Sequence, residues 1–88
     1  MKLKYDFTLR EVVGEYVLIP MGKSALAFSG MVTTNAVGAM ILEKLRQDTT
    51  PEQLCQAICQ EFEVDEATAR EDMEQFLAVV EKAGLLEK

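Results

Sequence analysis

MVTTNAVGAMILEKLRQDTTPEQL, residues 31–54, is the stretch that decides the fold, because an extended segment gives way to helix within it. Residues 31–34 carry no charge, proline or glycine, and their β-branched side chains are typical of a strand. Thr34 or Asn35 is well suited to cap a helix, and residues 36–47 place apolar side chains around most of a helical cylinder. The stretch predicts a strand that leads into a central helix packed between a sheet and later helices.

Two further helices are predicted after this stretch. Thr50–Pro51–Glu52–Gln53 has the spacing of a capping box with proline at the first helical position, and the helix is expected to run to about Phe62. Asp65 is suited to cap a third helix that runs to about Ala83 and stops at Gly84. Leu85 and Leu86, which follow Gly84, are expected to fold back onto the core.

Strands are predicted in residues 9–34, before the central helix, where Val, Leu, Ile, Tyr and Phe are interrupted by glycine and proline. We place them near 11–20, kinked or bulged at Gly14, then at 24–29 and at 31–34. Turns are expected between them, at Pro20–Lys23 and Ser29–Gly30. The order of three strands and then three helices predicts an α+β fold, with a small antiparallel meander followed by a helical bundle.

The length of 88 residues suits one compact domain. Residues 1–8 lack a clear period and are expected to form an arm with some mobility, whereas 9–88 form the domain. No apolar run approaches the roughly 20 residues of a membrane span, and no signal peptide is evident. We therefore expect a cytoplasmic protein whose cysteines stay reduced.

The charge distribution argues against nucleic acid and membrane surfaces as partners. The chain has 9 basic and 15 acidic residues, a net charge of −6. Residues 35–88 hold five bases and twelve acids, which is −7. Phosphate backbones and anionic lipid surfaces attract basic proteins, so this field would repel both.

The composition also lacks the usual catalytic groups. The chain has no histidine, which removes Ser–His and Cys–His pairs and histidine-based metal sites. Ser24 and Ser29 lie in strand territory and lack the Asp-Ser-Leu setting of an acyl carrier protein. We predict a protein that is not an enzyme and needs no cofactor.

Cys55 and Cys59 share one helix face at i, i+4. Because the chain offers no further Cys or His ligands, we interpret both cysteines as small buried apolar residues. A metal site shared between two molecules is the alternative. The acids of the third helix are interpreted as a solvated face, with an acidic docking surface as the alternative. The sequence predicts no metal site within one chain.

The third helix has an apolar arc wider than one packing contact requires. Its core stripe is flanked by Leu77 and Val79, so one edge of the arc is free to line a groove, although a well-buried helix would also explain it. The strand at 31–34 lacks the charges and prolines that protect sheet edges, so an extended peptide could add beside it. A strand too short to bind anything is the alternative.

Several strings in this order resemble the PqqD-like family, the recognition element of ribosomally made, modified peptides. The resemblance covers about residues 9–87, and the strings that carry it are Arg10–Pro20, Gly30–Asn35 leading into Gly38, Asp48–Thr50, Val64–Asp72, Phe76–Leu77 and Gly84–Leu86. It implies a winged-helix-like domain and a non-catalytic, chaperone-like adaptor. Such an adaptor captures a precursor leader peptide by strand addition and presents it to a modifying enzyme, often a radical S-adenosylmethionine enzyme.

The resemblance also implies where the leader would bind. It places the leader beside the edge strand Met31, Val32, Thr33 and Thr34. The candidate groove walls on the third helix are Met73, Phe76, Leu77 and Val80. The alternative function is a general protein–protein interaction module of winged-helix type, or a homodimer that pairs two such edges.

Overall fold

The computed structural model of the chain describes residues 1–21 and 32–87. In chain order its elements are β1 Lys2–Leu3, β2 Phe7–Val12, β3 Glu15–Pro20, β4 Val32–Thr34, α1 Ala36–Lys44, α2 Pro51–Phe62, α3 Glu66–Lys82 and β5 Leu86–Glu87. The β2, β3 and β4 strands form an antiparallel sheet in that order, and β1 pairs separately with β5. The predicted α+β class, a three-stranded antiparallel sheet followed by three helices, is confirmed.

The first two strands of the main sheet form a hairpin that differs from the predicted single strand. Val13 and Gly14 have φ angles of 49° and 79°, which is the backbone of a two-residue type I′ turn. Val12 pairs with Glu15 across this turn. The prediction of one strand over 11–20, kinked at Gly14, is therefore wrong, because the glycine allows the chain to reverse.

Residues 1–8 pack against the domain, unlike the arm expected from the sequence. The Leu3 amide donates to the Leu45 carbonyl at 3.0 Å, and the Lys4 amide donates to the Leu85 carbonyl at 2.8 Å. Leu3 and Phe7 are both buried. The segment is held because it places two apolar side chains in the core and satisfies its backbone groups there.

Arg46, just beyond α1, ties the hairpin to the helices. Its guanidinium donates to the Phe7 carbonyl at 2.9 Å and lies 4.0 Å from the Phe7 ring centroid. It also forms an ion pair with Glu43 at 3.0 Å. These contacts fix β2 relative to α1, since the planar guanidinium can stack on the ring and donate hydrogen bonds at the same time.

The third strand of the sheet agrees with the sequence over the residues that can be compared. Thr34 lies opposite Tyr16, and Val32 lies opposite Leu18. The predicted strand at 24–29 and the predicted turn at Ser29–Gly30 lie outside the described residues, as does Met31.

All three helices begin where the sequence predicts. The side chains of Asn35 and Asp65 accept hydrogen bonds from the amides of Gly38 and Thr68 at 3.0 and 2.7 Å. Thr50 and Gln53 form the reciprocal capping box, with both bonds at 3.2 Å. The caps satisfy amides that have no partner inside the helix, which is why they mark these boundaries reliably.

The core lies where α1 is enclosed by the sheet and the other two helices. Three α1-region side chains are completely buried, Ile41, Leu42 and Leu45. Leu54 and Ile58 of α2 are equally buried, and Leu85 and Leu86 fold back onto the core as predicted. Among the residues the structure describes, no helix is long and apolar enough to cross a membrane.

Candidate functional site

The β4 strand forms one edge of the main sheet. It pairs with β3 on one side, and on its other side it has no strand partner among residues 1–21 and 32–87. Thr33 is exposed and Thr34 is half-buried. A free edge presents backbone donors and acceptors to which another extended chain can bond.

An open groove lies between the end of β4 and the outer side of α3. It contains about 570 Å³ of space, part of it open to solvent. Its described walls come from three elements and are Thr34, Asn35, Val37, Gly38, Asp72, Gln75, Phe76 and Val79. The end of the free edge and a helix face that carries Phe76 and Val79 thus lie side by side.

Gly38 brings the walls of this groove together. A Cβ atom added there would overlap the Oγ1 atom of Thr34 and would lie 2.9 Å from Cε1 of Phe76. Gly38 is buried in the first turn of α1. The absence of a side chain therefore allows β4, α1 and α3 to approach closely at the floor of the groove.

Two of the predicted groove walls are wrong. Met73 and Val80 are 1% and 0% exposed, within the core cluster. Together with Ala69 they form the i, i+4, i+11 stripe that faces the other helices, so their side chains have no access to a ligand in this structure. Apolar spacing alone identified the inner face of α3 and not its outer edge.

The other two predicted walls have different environments. Phe76 is half-buried and lines the groove, whereas Leu77 is half-buried against the core and is not among the groove residues. The groove face is instead built at i, i+3, i+4 and i+7 by Asp72, Gln75, Phe76 and Val79. Val79, which flanks the predicted core stripe in the sequence, is 55% exposed and lines this face.

The sequence did not predict the part of the groove that α1 contributes. Val37 and Gly38 line it, although a helix with apolar residues on most sides gives no indication of which residue reaches the surface. Asn35 also lines it, while its side-chain oxygen accepts the hydrogen bond from the Gly38 amide. Asn35 therefore both caps α1 and forms part of the groove wall.

The two cysteines lie elsewhere, on α2. Cys55 is buried and Cys59 is half-buried. Burial, with a further contribution from the neighbouring Cys55, raises the pKa of the Cys59 thiol, which favours the unreactive protonated form. Within the described residues there is no group of three or more side chains suited to hold a metal ion.

Comparisons with known proteins agree on the type of domain. The family model for coenzyme PQQ synthesis protein D (PqqD) matches residues 15–86. A solved structure of TbiB1 in complex with the TbiA(beta) leader peptide superposes with a TM-score of 0.71 and 29% sequence identity, covering 99% of this chain and 95% of that chain. No curated protein matches this chain. Because the family model spans most of the chain, the protein belongs to the PqqD family.

Proposed function

We propose that this protein is a non-catalytic adaptor that binds the leader segment of a precursor peptide and presents it to a modifying enzyme. The observation that carries the proposal is that the free β4 edge lies next to the face of α3 that contains Phe76. The TbiB1 relative was solved with a leader peptide, which supports the same class of ligand here. The resemblance suggests a radical S-adenosylmethionine enzyme as the partner. We also propose a cytoplasmic location, which the sequence analysis predicts.

The proposed binding mode is strand addition. The backbone of an extended leader bonds to β4, and alternate side chains of the leader then face α3 because side chains in a strand point to opposite faces in turn. Thr33, Thr34 and the backbone of Val32 supply the edge, and Phe76 with Val79 supplies the apolar contact. Specific pockets for one or two leader side chains would add sequence preference to a bond pattern that any backbone can make.

Titration calorimetry with the leader of a precursor encoded beside this gene tests the apolar contact. We expect Phe76→Ala to weaken binding by about five- to thirtyfold, the usual effect of truncating a central aromatic contact. Phe62→Ala on α2 is the matched control, since Phe62 is also half-buried but lies outside the groove. Equal losses in both variants would contradict the proposed site.

A pair of proline variants tests the backbone contact. Successive residues in a strand direct their amides to opposite edges, so one of Val32 and Thr33 donates towards β3 and the other outwards. Val32→Pro and Thr33→Pro should therefore differ: one destabilises the fold and the other chiefly weakens leader binding. If the better-folded of the two binds the leader as tightly as the native protein, strand addition at β4 is refuted.

A homodimer that pairs two β4 edges is the alternative function, favoured by the same free edge. It would occupy the site that the leader needs, so dimerisation and leader binding would compete. Sedimentation velocity over a range of protein concentrations separates the two. A dimer that persists when the leader is saturating would favour the alternative.

A further inference from the structure

The groove has a charged wall whose role is not explained by strand addition or by apolar contact. Asp72 lies on the same face of α3 as Phe76 and is exposed. It is the one charged residue among the described groove walls, and none of those walls is basic. A peptide that occupies the groove would therefore meet one negative charge and no positive charge at its α3 side.

Asp72 also has no partner of its own within the described part of the chain. The ion pairs there join other residues, including Arg70 to Glu66 at 3.5 Å. No hydrogen bond to the Asp72 carboxylate occurs among those residues either. Its acceptor oxygens remain available to a ligand, and a neighbouring base does not have to be displaced first.

The spacing along α3 fits the spacing of an extended peptide. Asp72 and Phe76 are four residues apart, which is about 6 Å along a helix axis at 1.5 Å per residue. Side chains two positions apart on one face of a strand are separated by about 6.8 Å. In a leader that runs along α3, a side chain resting on Phe76 would therefore place the side chain two positions away within reach of Asp72.

From this geometry we infer that the groove selects leader peptides with a lysine or arginine two positions from a large apolar residue, with Phe76 contacting the apolar side chain and Asp72 pairing with the base. The inference rests on the proposed function and specifies its ligand. The surrounding field acts in the same direction, because α3 and its cap carry six acids against Arg70 and Lys82. Such a field speeds the approach of a basic peptide and weakens as salt is added.

Display selection with a library of random 14-residue peptides tests the inference without knowledge of the natural leader. Peptides selected on the native protein should be enriched in a base two positions from an apolar residue. Selection on Asp72→Lys should keep the apolar residue and lose the base. Glu74→Lys makes the same charge change on the same helix outside the groove, and it should select the same peptides as the native protein.

A double-mutant cycle then measures the pair directly. In a selected peptide, replacement of the base by glutamine should weaken binding to the native protein and to Glu74→Lys by about two- to fivefold, the range for exposed ion pairs. The same replacement should have a much smaller effect on binding to Asp72→Asn, where only the general field of the remaining acids acts on the base. A loss of similar size in Asp72→Asn would overturn the inference.

The outcomes separate this inference from the proposed function. Peptides that bind at β4 and Phe76 without any preference for a base would overturn the charge selectivity alone. Peptides that bind elsewhere on the protein, or a library from which nothing is enriched, would contradict both. Equal loss of the base in the Glu74→Lys and Asp72→Lys selections would assign the preference to the general field and overturn the specific pair.

Discussion

Replacement of Gly38 by alanine tests whether the groove depends on the close approach of three elements. Two effects of opposite sign compete at this position. Alanine is the better helix former, which stabilises a helix by about 0.5–1 kcal/mol relative to glycine. The added Cβ, however, would overlap Thr34 Oγ1 and lie 2.9 Å from both Thr34 Cβ and Phe76 Cε1.

The overlap cannot be relieved by a simple side-chain rotation. Rotation about χ1 would move the Thr34 hydroxyl but would leave Thr34 Cβ at 2.9 Å. The backbone of β4 or α1 must therefore shift, and overpacking of this kind costs about 1–3 kcal/mol. Since the clash involves two partners, we expect overpacking to exceed the gain in helix propensity, with a net destabilisation of about 1–2 kcal/mol.

Thermal and denaturant unfolding measure this change. For a domain of this size, each kcal/mol lowers the unfolding midpoint by about 4–8 °C. In a Thr34→Ala background Gly38→Ala should cost less, because the closest overlapping atom is gone. Leader affinity should also fall in Gly38→Ala, since Thr34 and Phe76 both line the groove. A Gly38→Ala protein of equal or greater stability with unchanged affinity would refute this reasoning.

Three further predictions concern the turn and the caps. Thr50→Ala removes one half of the capping box with Gln53 and should lower the unfolding free energy by about 1 kcal/mol in denaturant titrations. Val13→Asn should raise it by about 0.5–1 kcal/mol, because the 98% exposed Val13 has a φ of 49° that asparagine tolerates better. The Thr68 amide lowers the pKa of Asp65. The stabilisation from this hydrogen bond is therefore present above the pKa of Asp65 in the unfolded state, and it is lost as the pH falls through the lower pKa of the folded state. Between about pH 5 and 2.5, the unfolding free energy should fall less steeply in Asp65→Asn than in the native protein.

The helices could be predicted from the sequence because their signals are local. Asn35, Thr50 and Asp65 each sit within three residues of the amide that they cap. A bond of that range depends little on the rest of the chain, so a short string specifies it. The family resemblance, carried by strings of the same kind, is confirmed by the PqqD match.

The hairpin and the true groove walls could not be predicted because they depend on less regular or long-range features. A type I′ turn favours Asn-Gly, and Val13 in its first position conceals the signal. On α3, Met73 and Phe76 are both apolar, and only the packing of the neighbouring elements decides that Met73 is buried and that Phe76 reaches the groove. Periodicity identifies an apolar face but not where the neighbouring elements end.

Hydrogen exchange of the β4 amides, followed residue by residue by NMR with and without the leader of an adjacent precursor, tests the central claim most directly. Strand addition at β4 predicts that each β4 amide that points away from β3 becomes protected when the leader binds, and that the resonances of Gly38 and Phe76 shift at the same time. Saturating leader binding that protects amides on another element, and leaves those of Val32, Thr33 and Thr34 unchanged, would contradict it.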